Sequence, residues 1–249
     1  MENSLPIEIE QAVNIAFDAM QAHSQHLLIP IYRYAIYDSI NKTKDLDAHS
    51  VKVSLNLLTV QYVLSYWKMP LFMYSKEDDE YDLWQRMPHH MVEISRGVIN
   101  GTIEKNKAIA KAAHWQEVTD LTGQLHDSPY YNEWCVFDAG LRCLWQTLDV
   151  EIELNREIDI NTKDEDLYGD SDVAKWACFA YVGGTWIPNN PIQWNYDEQQ
   201  RRWITDNKDW YFEDNGIWDR NTKTAINRRR KFWDWWLTQA ISKACQQSI

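Results

Sequence analysis

The sequence predicts an all-α protein, a multi-helix bundle of about seven to nine helices with an irregular Trp-rich insertion before the last helix. Three observations predict it. Apolar residues recur at helical spacing along most of the chain, and the stripes are separated by Pro, Gly and Asn signals. The segment Leu46 to Trp67 is apolar over so wide an arc that it needs cover on several sides, as a central helix does. Near the C-terminus, Ala225, Ile226, Phe232, Trp233, Trp236, Leu237, Ala240, Ile241 and Ala244 mark a helix with one aromatic, buried face. So much apolar area needs a large receiving surface built by the preceding segments.

The first helix is predicted to begin near Ser4-Leu5-Pro6, a capping residue and a proline suited to a first turn, and to run to about His26. Ile9, Ala12, Val13, Ala16, Met20 and His23 share its inner face. Pro30 restarts the chain, and Ile31 to Ile40 reads as a short second helix. The loop Asn41 to Asp45 ends in an acid suited to cap the helix that extends to Trp67. One side of that helix carries Val53, Leu57, Val60, Leu64 and Trp67, and an adjoining side carries Val51, Leu55, Leu58 and Tyr62. Val51, Val53, Leu55 and Leu57 also alternate as a strand would, but the helical pattern is the longer and decides the assignment.

Lys68 to Met87 is a connection holding the acidic run Glu77-Asp78-Asp79-Glu80. Pro88 opens a helix with Met91, Ile94, Ser95, Val98 and Ile99 inward, ended by Asn100-Gly101. Thr102 to Leu125 continues as a helix marked by Ile103, Ala110, His114, Leu121 and Leu125. After the break at Asp127-Ser128-Pro129, Tyr131 to Leu154 is helical, with Val136, Gly140, Cys143, Leu144 and Thr147 on its buried side. The acidic loop Asp159 to Asp170 contains Asp164-Glu165-Asp166. Ser171 then caps a short helix with Val173, Trp176, Ala177, Ala180 and Tyr181 in register, stopped by Gly183-Gly184. Residues 185–221 form an aromatic-anchored excursion whose tryptophans follow no clean period. Within it Asp197 to Asp206 reads as a helix and Trp210 to Trp218, around Asn215-Gly216, as a small hairpin. No repeat or flexible linker divides the chain, so residues 1–249 read as one all-α domain.

The bulk properties exclude some functions. A formal charge of −12 argues against binding nucleic acid through its phosphates, because that affinity comes from Lys and Arg displacing counterions. The charge is uneven: Tyr131 to Lys175 holds twelve acids against four bases, and Trp176 to the end holds eight against ten. Such an acidic block either attracts a basic partner or is a solvated surface. Cys135, Cys143, Cys178 and Cys245 show no zinc spacing, and Cys135 and Cys143 stand ~12 Å apart on one helix, too far for a disulfide. Reduced thiols, an N-terminus without the basic start and apolar run of a signal peptide, and the lack of a ~20-residue apolar run point to a cytoplasmic protein without membrane contact.

Few constellations carry chemistry. His89 and Glu93 are four residues apart on a helix and, with His90, are the nearest approach to a metal or acid–base site. Their face lies opposite Met91, Ile94 and Val98 and is predicted to point to solvent. His23 and His114 sit on apolar faces, where a hydrogen-bonded core histidine is expected. There is no G-x-G-x-x-G, no P-loop and no calcium-loop spacing, so the sequence calls for no cofactor and no catalytic residue. Trp235 projects ~160° from the buried stripe of the last helix. Either another segment, such as the excursion, covers it, or it stands exposed beside Arg228, Arg229 and Arg230 as an interaction hot spot. Those residues and the acidic runs Glu77, Asp78, Asp79, Glu80 and Asp164, Glu165, Asp166 are the candidate partner-binding positions.

The run Arg229-Arg230-Lys231-Phe232-Trp233-Asp234-Trp235-Trp236-Leu237-Thr238-Gln239-Ala240-Ile241 resembles a known family ending, Arg-Arg-x-Phe-Trp-x-Trp-Trp/Tyr-Leu-x-x-Ala-Ile/Val. It belongs to the all-helical immunity proteins in the fifth numbered family of bacterial polymorphic-toxin systems. A second, shorter likeness is Ile94-Ser95-Arg96-Gly97-Val98-Ile99-Asn100-Gly101-Thr102-Ile103 followed by Ala108 to His114, similar to the family's Gly-ended helix leading into an Ala-rich one. Together they cover about half the chain; the first 45 residues and the excursion lie outside the likeness. The resemblance implies neutralisation of a cognate toxin by tight binding in the bacterial cytoplasm, without catalytic residues. The alternatives are a helical enzyme, such as a metal-dependent hydrolase using His89, His90 and Glu93, and a scaffold protein.

Overall fold

The computed structural model describes residues 5–68, 85–122, 131–149, 158, 160–163, 172–188, 194–197, 202–205 and 216–247. The chain is an all-α multi-helix bundle. Its helices are α1 (Ile7–Ala22), α2 (Pro30–Lys42), α3 (Ala48–Val63), α4 (Met87–Ile99), α5 (Lys105–Thr122), α6 (Tyr131–Thr147), α7 (Val173–Val182), α8 (Lys223–Trp235) and α9 (Ile241–Gln247). A π-helical turn, Trp236–Ala240, joins α8 to α9 without a break.

Local chemistry sets the helix ends. Pro30 and Pro88 occupy first-turn positions, where a missing N–H costs nothing. Asp47, two residues beyond the expected Asp45, caps α3 by accepting from the Ser50 backbone N–H at 3.3 Å. Asp172 caps α7 by accepting from the Lys175 N–H at 3.2 Å; the expected cap, Ser171, lies outside the described residues. Thr222 caps α8 through the Ala225 N–H at 3.2 Å. Gly183, at φ 62°, ends α7 in a conformation that L side chains rarely adopt. Four helices are shorter than their patterns predict: α1 stops at Ala22, α3 at Val63, before a 3-10 turn over Leu64–Tyr66, and α6 at Thr147, while α5 starts at Lys105; residues 123–125 and 150–154 lie outside the described set.

α3 is the central helix. It packs against α2, α4, α6, α7 and α9, which is why Val51, Val53, Leu55, Leu57 and Val60, spread around its circumference, are all buried. α6 lies across α4 and α7, and the absence of a side chain at Gly140 admits Met91, whose Sδ is 3.0 Å from where a Cβ would stand. α1 buries Ile9, Val13, Ala16 and Met20 as its spacing predicts. Ile99, expected inside, is 52% exposed at the end of α4. α5 also turns a different face inward: Ala108, Ala112 and Trp115 are buried, whereas Ala110 and His114 are exposed. The indole of Trp115 offers more apolar area than Ala110 and His114 of the predicted face, which favours the observed rotation; the side chains of Leu121 and Leu125 lie outside the described set.

Within the excursion, the described residues pair as two antiparallel ribbons, short backbone contacts for which its sequence shows no local period. β1 (Thr185–Pro188) pairs with β4 (Gly216–Asp219), and between them in sequence β2 (Trp194–Asp197) pairs with β3 (Arg202–Thr205). The helix expected over Asp197 to Asp206 is thus part of a ribbon. Of the hairpin expected over Trp210 to Trp218, residues 210–215 lie outside the described set, and Gly216–Asp219 pairs with a strand some thirty residues upstream. Backbone pairing compensates here for the missing side-chain period.

Two buried polar links tie distant elements. Arg33 of α2 is fully buried and donates from Nε to Asp172 at 2.5 Å, also donates to the Leu28 carbonyl, and lies 5.7 Å from the centre of the Trp233 ring. The indole N–H of Trp236 donates to the Thr59 hydroxyl of α3 at 3.2 Å, and that hydroxyl donates to the Leu55 carbonyl at 2.7 Å. Cys135, Cys143, Cys178 and Cys245 are buried and form no disulfide. Burial pushes the Cys143 thiol up to about 12 and the Cys135 thiol higher still.

Candidate functional site

The partner-binding positions on the last helix separate into internal and external groups. Arg229 is 5% exposed. Its guanidinium donates to the Gln25 carbonyl at 2.9 Å and the Arg220 carbonyl at 3.0 Å, joining the α1–α2 connection to the chain entering α8. A partner cannot reach it without displacing both, which corrects its assignment to the outer surface. Arg228 and Arg230 are exposed. Arg230 Nε is 3.6 Å from Asp234, whose other oxygen accepts from Gln21 of α1 at 3.0 Å.

Trp235 is half-buried, and it is covered by α3. Its ring stacks on Tyr62 with centroids 3.7 Å apart and planes 9° from parallel. Tyr62 in turn stacks on Tyr181 of α7 at 5.3 Å, and Tyr66 meets Tyr181 edge-on at 5.6 Å. Burial, then the hydrogen bond with Tyr181, raise the Tyr62 hydroxyl to about 12, so it stays protonated at neutral pH. Trp235 therefore belongs mainly to an internal aromatic stack linking α3, α7 and α8. The excursion, named from sequence as its cover, is not needed for that.

The acidic candidates Glu77, Asp78, Asp79, Glu80, Asp164, Glu165 and Asp166 lie outside the described residues. At the start of α4, Glu93 is exposed, as expected, but it pairs with Arg86 at 3.1 Å and with His90 at 3.2 Å rather than with His89. His89 is half-buried, and its Nδ1 is buried without a hydrogen-bond partner among the described residues. Burial, and then the neighbouring Arg86 guanidinium, hold its pKa below the ordinary histidine value, so it stays neutral at pH 7. Among the described residues, no group of three His, Cys, Asp or Glu side chains is placed to hold a metal ion. His23 is partly buried and its Nδ1 accepts from the Gln25 N–H at 3.1 Å, whereas His114 is exposed and not a core histidine.

One surface escaped the sequence reading. The outward side of α1 shows Ile7, 67% exposed, and Ile15, 61% exposed, among Glu8, Glu10 and Asp18. The sequence carries a signal for it, since α1 contains these three acids and no Lys or Arg.

Fold and surface together define a helical protein whose conspicuous aromatic ending is largely internal. No protein-family model matches the chain, and no curated protein matches it. Among the described residues, no helix is long and apolar enough to cross a membrane.

Proposed function

We propose that the protein is a non-catalytic binding protein of the immunity type, neutralising a cognate bacterial toxin by direct contact. What supports the reading is how the C-terminal run divides between core and solvent. Set against the family ending that it resembles, its fixed positions are Arg229, Arg230, Phe232, Trp233, Trp235, Trp236, Leu237, Ala240 and Ile241. Of these, all but Arg230 and Trp235 are buried. The free positions, Lys231, Asp234, Thr238 and Gln239, are exposed or half-buried. A pattern that fixes buried positions and frees the others describes a scaffold, so the likeness reaches the fold first and the function through it. Neutralisation by binding needs only a complementary surface, and a net charge of −12 would speed encounter with a basic toxin and repel nucleic acid from the complex.

Co-expression with each toxin encoded beside its gene tests the reading. Restored growth and a co-purifying complex are the expected result. Failure of every such toxin to be neutralised or bound overturns it.

A second reading, a helical metal-dependent hydrolase using His89, His90 and Glu93, draws on the Nδ1 of His89, buried with no hydrogen-bond partner among the described residues, but these three are not placed to hold a metal ion together, so it needs a rearrangement or a further ligand. It requires a stoichiometric transition metal in the purified protein, detected by elemental analysis and lost in the H89A/H90A variant. Metal-free wild type overturns it.

A further inference from the structure

We infer that the outward face of α1 is the docking surface for a cationic protein partner, with Ile7 and Ile15 as its apolar anchors; this rests on the binding function proposed above. Opposite the buried Ile9, Val13, Ala16 and Met20, the helix presents Ile7, Gln11, Ile15 and Asp18, flanked by Glu8 and Glu10. The two isoleucines stand eight residues apart, ~12 Å along the axis, a span that one partner patch can cover.

The charge on this face is of one sign: α1 carries Glu8, Glu10 and Asp18 and no Lys or Arg. Asp38, Glu93, Glu104, Asp138, Asp149, Asp172 and Asp234 each hold an ion pair. Among the described residues the carboxylates of Glu8, Glu10 and Asp18 have no ion-pair or hydrogen-bond partner, and all three residues are exposed. The helix dipole accounts for Glu8 and Glu10 in the first turn. It does not account for Asp18, which stands towards the negative end, nor for two large apolar side chains in water.

A partner that brings Lys or Arg around an apolar patch satisfies all of these at once: the carboxylates gain counter-charges and the isoleucines leave solvent. A second copy of this chain does not fit, because it would set three unpaired carboxylates against three more.

The test uses the full chain and whichever neighbouring toxin domain forms a complex with it. Three proteins are compared by stopped-flow association and by equilibrium titration at two salt concentrations: wild type, E8Q/E10Q/D18N and I7S/I15S. Because every altered side chain points outward, far-UV spectra should stay close to wild type, and only the charge variant should melt slightly lower, since Glu8 and Glu10 leave the positive end of the helix dipole. The charge variant should associate at least tenfold more slowly at low salt and lose most of its salt dependence. The isoleucine variant should dissociate at least tenfold faster. A complex formed with wild-type rates by both variants overturns the docking surface while leaving the immunity function standing. No complex with any toxin overturns both.

Discussion

Replacing Trp236 with Ala removes the residue on which the last helix is seated. Its side chain is fully buried, meeting Tyr37 edge-on at 6.1 Å and Trp233 at 5.7 Å while its N–H reaches Thr59. Truncation at such a site costs about 3–5 kcal/mol, the lost transfer energy of the ring plus the cavity that its neighbours cannot fill. The hydrogen bond adds little, since the Thr59 hydroxyl still donates to the Leu55 carbonyl and no donor is orphaned. Against a total stability of about 5–15 kcal/mol the loss is large, and it lowers the melting midpoint by roughly 6–20 °C. Urea unfolding followed by far-UV circular dichroism measures it as a shift in midpoint at constant slope. A loss below ~1 kcal/mol would refute the docking of the last helix on α3. Trp236→Phe keeps most of the packing and is expected to recover more than half of the loss.

Other consequences follow from the same packing. Arg33→Met leaves the fully buried Asp172 without its partner and should cost about 3–5 kcal/mol in denaturant unfolding, whereas R33M/D172N should recover part of that by removing the stranded charge. Gly97→Ala places a Cβ 2.5 Å from Cδ1 and 3.2 Å from Cβ of Ile103, so it should destabilise by about 1–3 kcal/mol despite the better helix former. Gly140→Ala meets only the mobile Met91 Sδ at 3.0 Å at its closest and should stay within ~1 kcal/mol of wild type by the same measurement. The Cys143 thiol, raised by burial from 9.0 to about 12, holds its proton in the folded chain after the unfolded chain has released its own. Stability attributable to it is therefore complete below pH 9 and declines as pH rises from about 9 towards about 12. Denaturation midpoints across that range should fall less steeply in Cys143→Ala.

The sequence by itself determined the helical class, most helix positions, and the inner faces of α1, α6 and the last helix. It could do so for α1 and the last helix because the large apolar residues recur at one spacing and only one rotation removes them from water; in α6, where every residue from Trp134 to Leu141 is buried, the predicted face is part of a helix covered on all sides. The choice of rotation was not legible in α5, where small residues dominate both faces and a single Trp115 prevails. Nor was strand pairing in the excursion, because the register of Thr185–Pro188 depends on Gly216–Asp219, beyond any local period. The candidate surface was least legible. Trp235 and Arg229 both look like outward residues on a helical projection, yet Tyr62 covers one and the carbonyls of Gln25 and Arg220 bind the other. Side chains away from the main stripe take their environment from segments far along the chain. The tertiary structure alone decides which of them are spent on holding the fold together and which remain free to meet a partner.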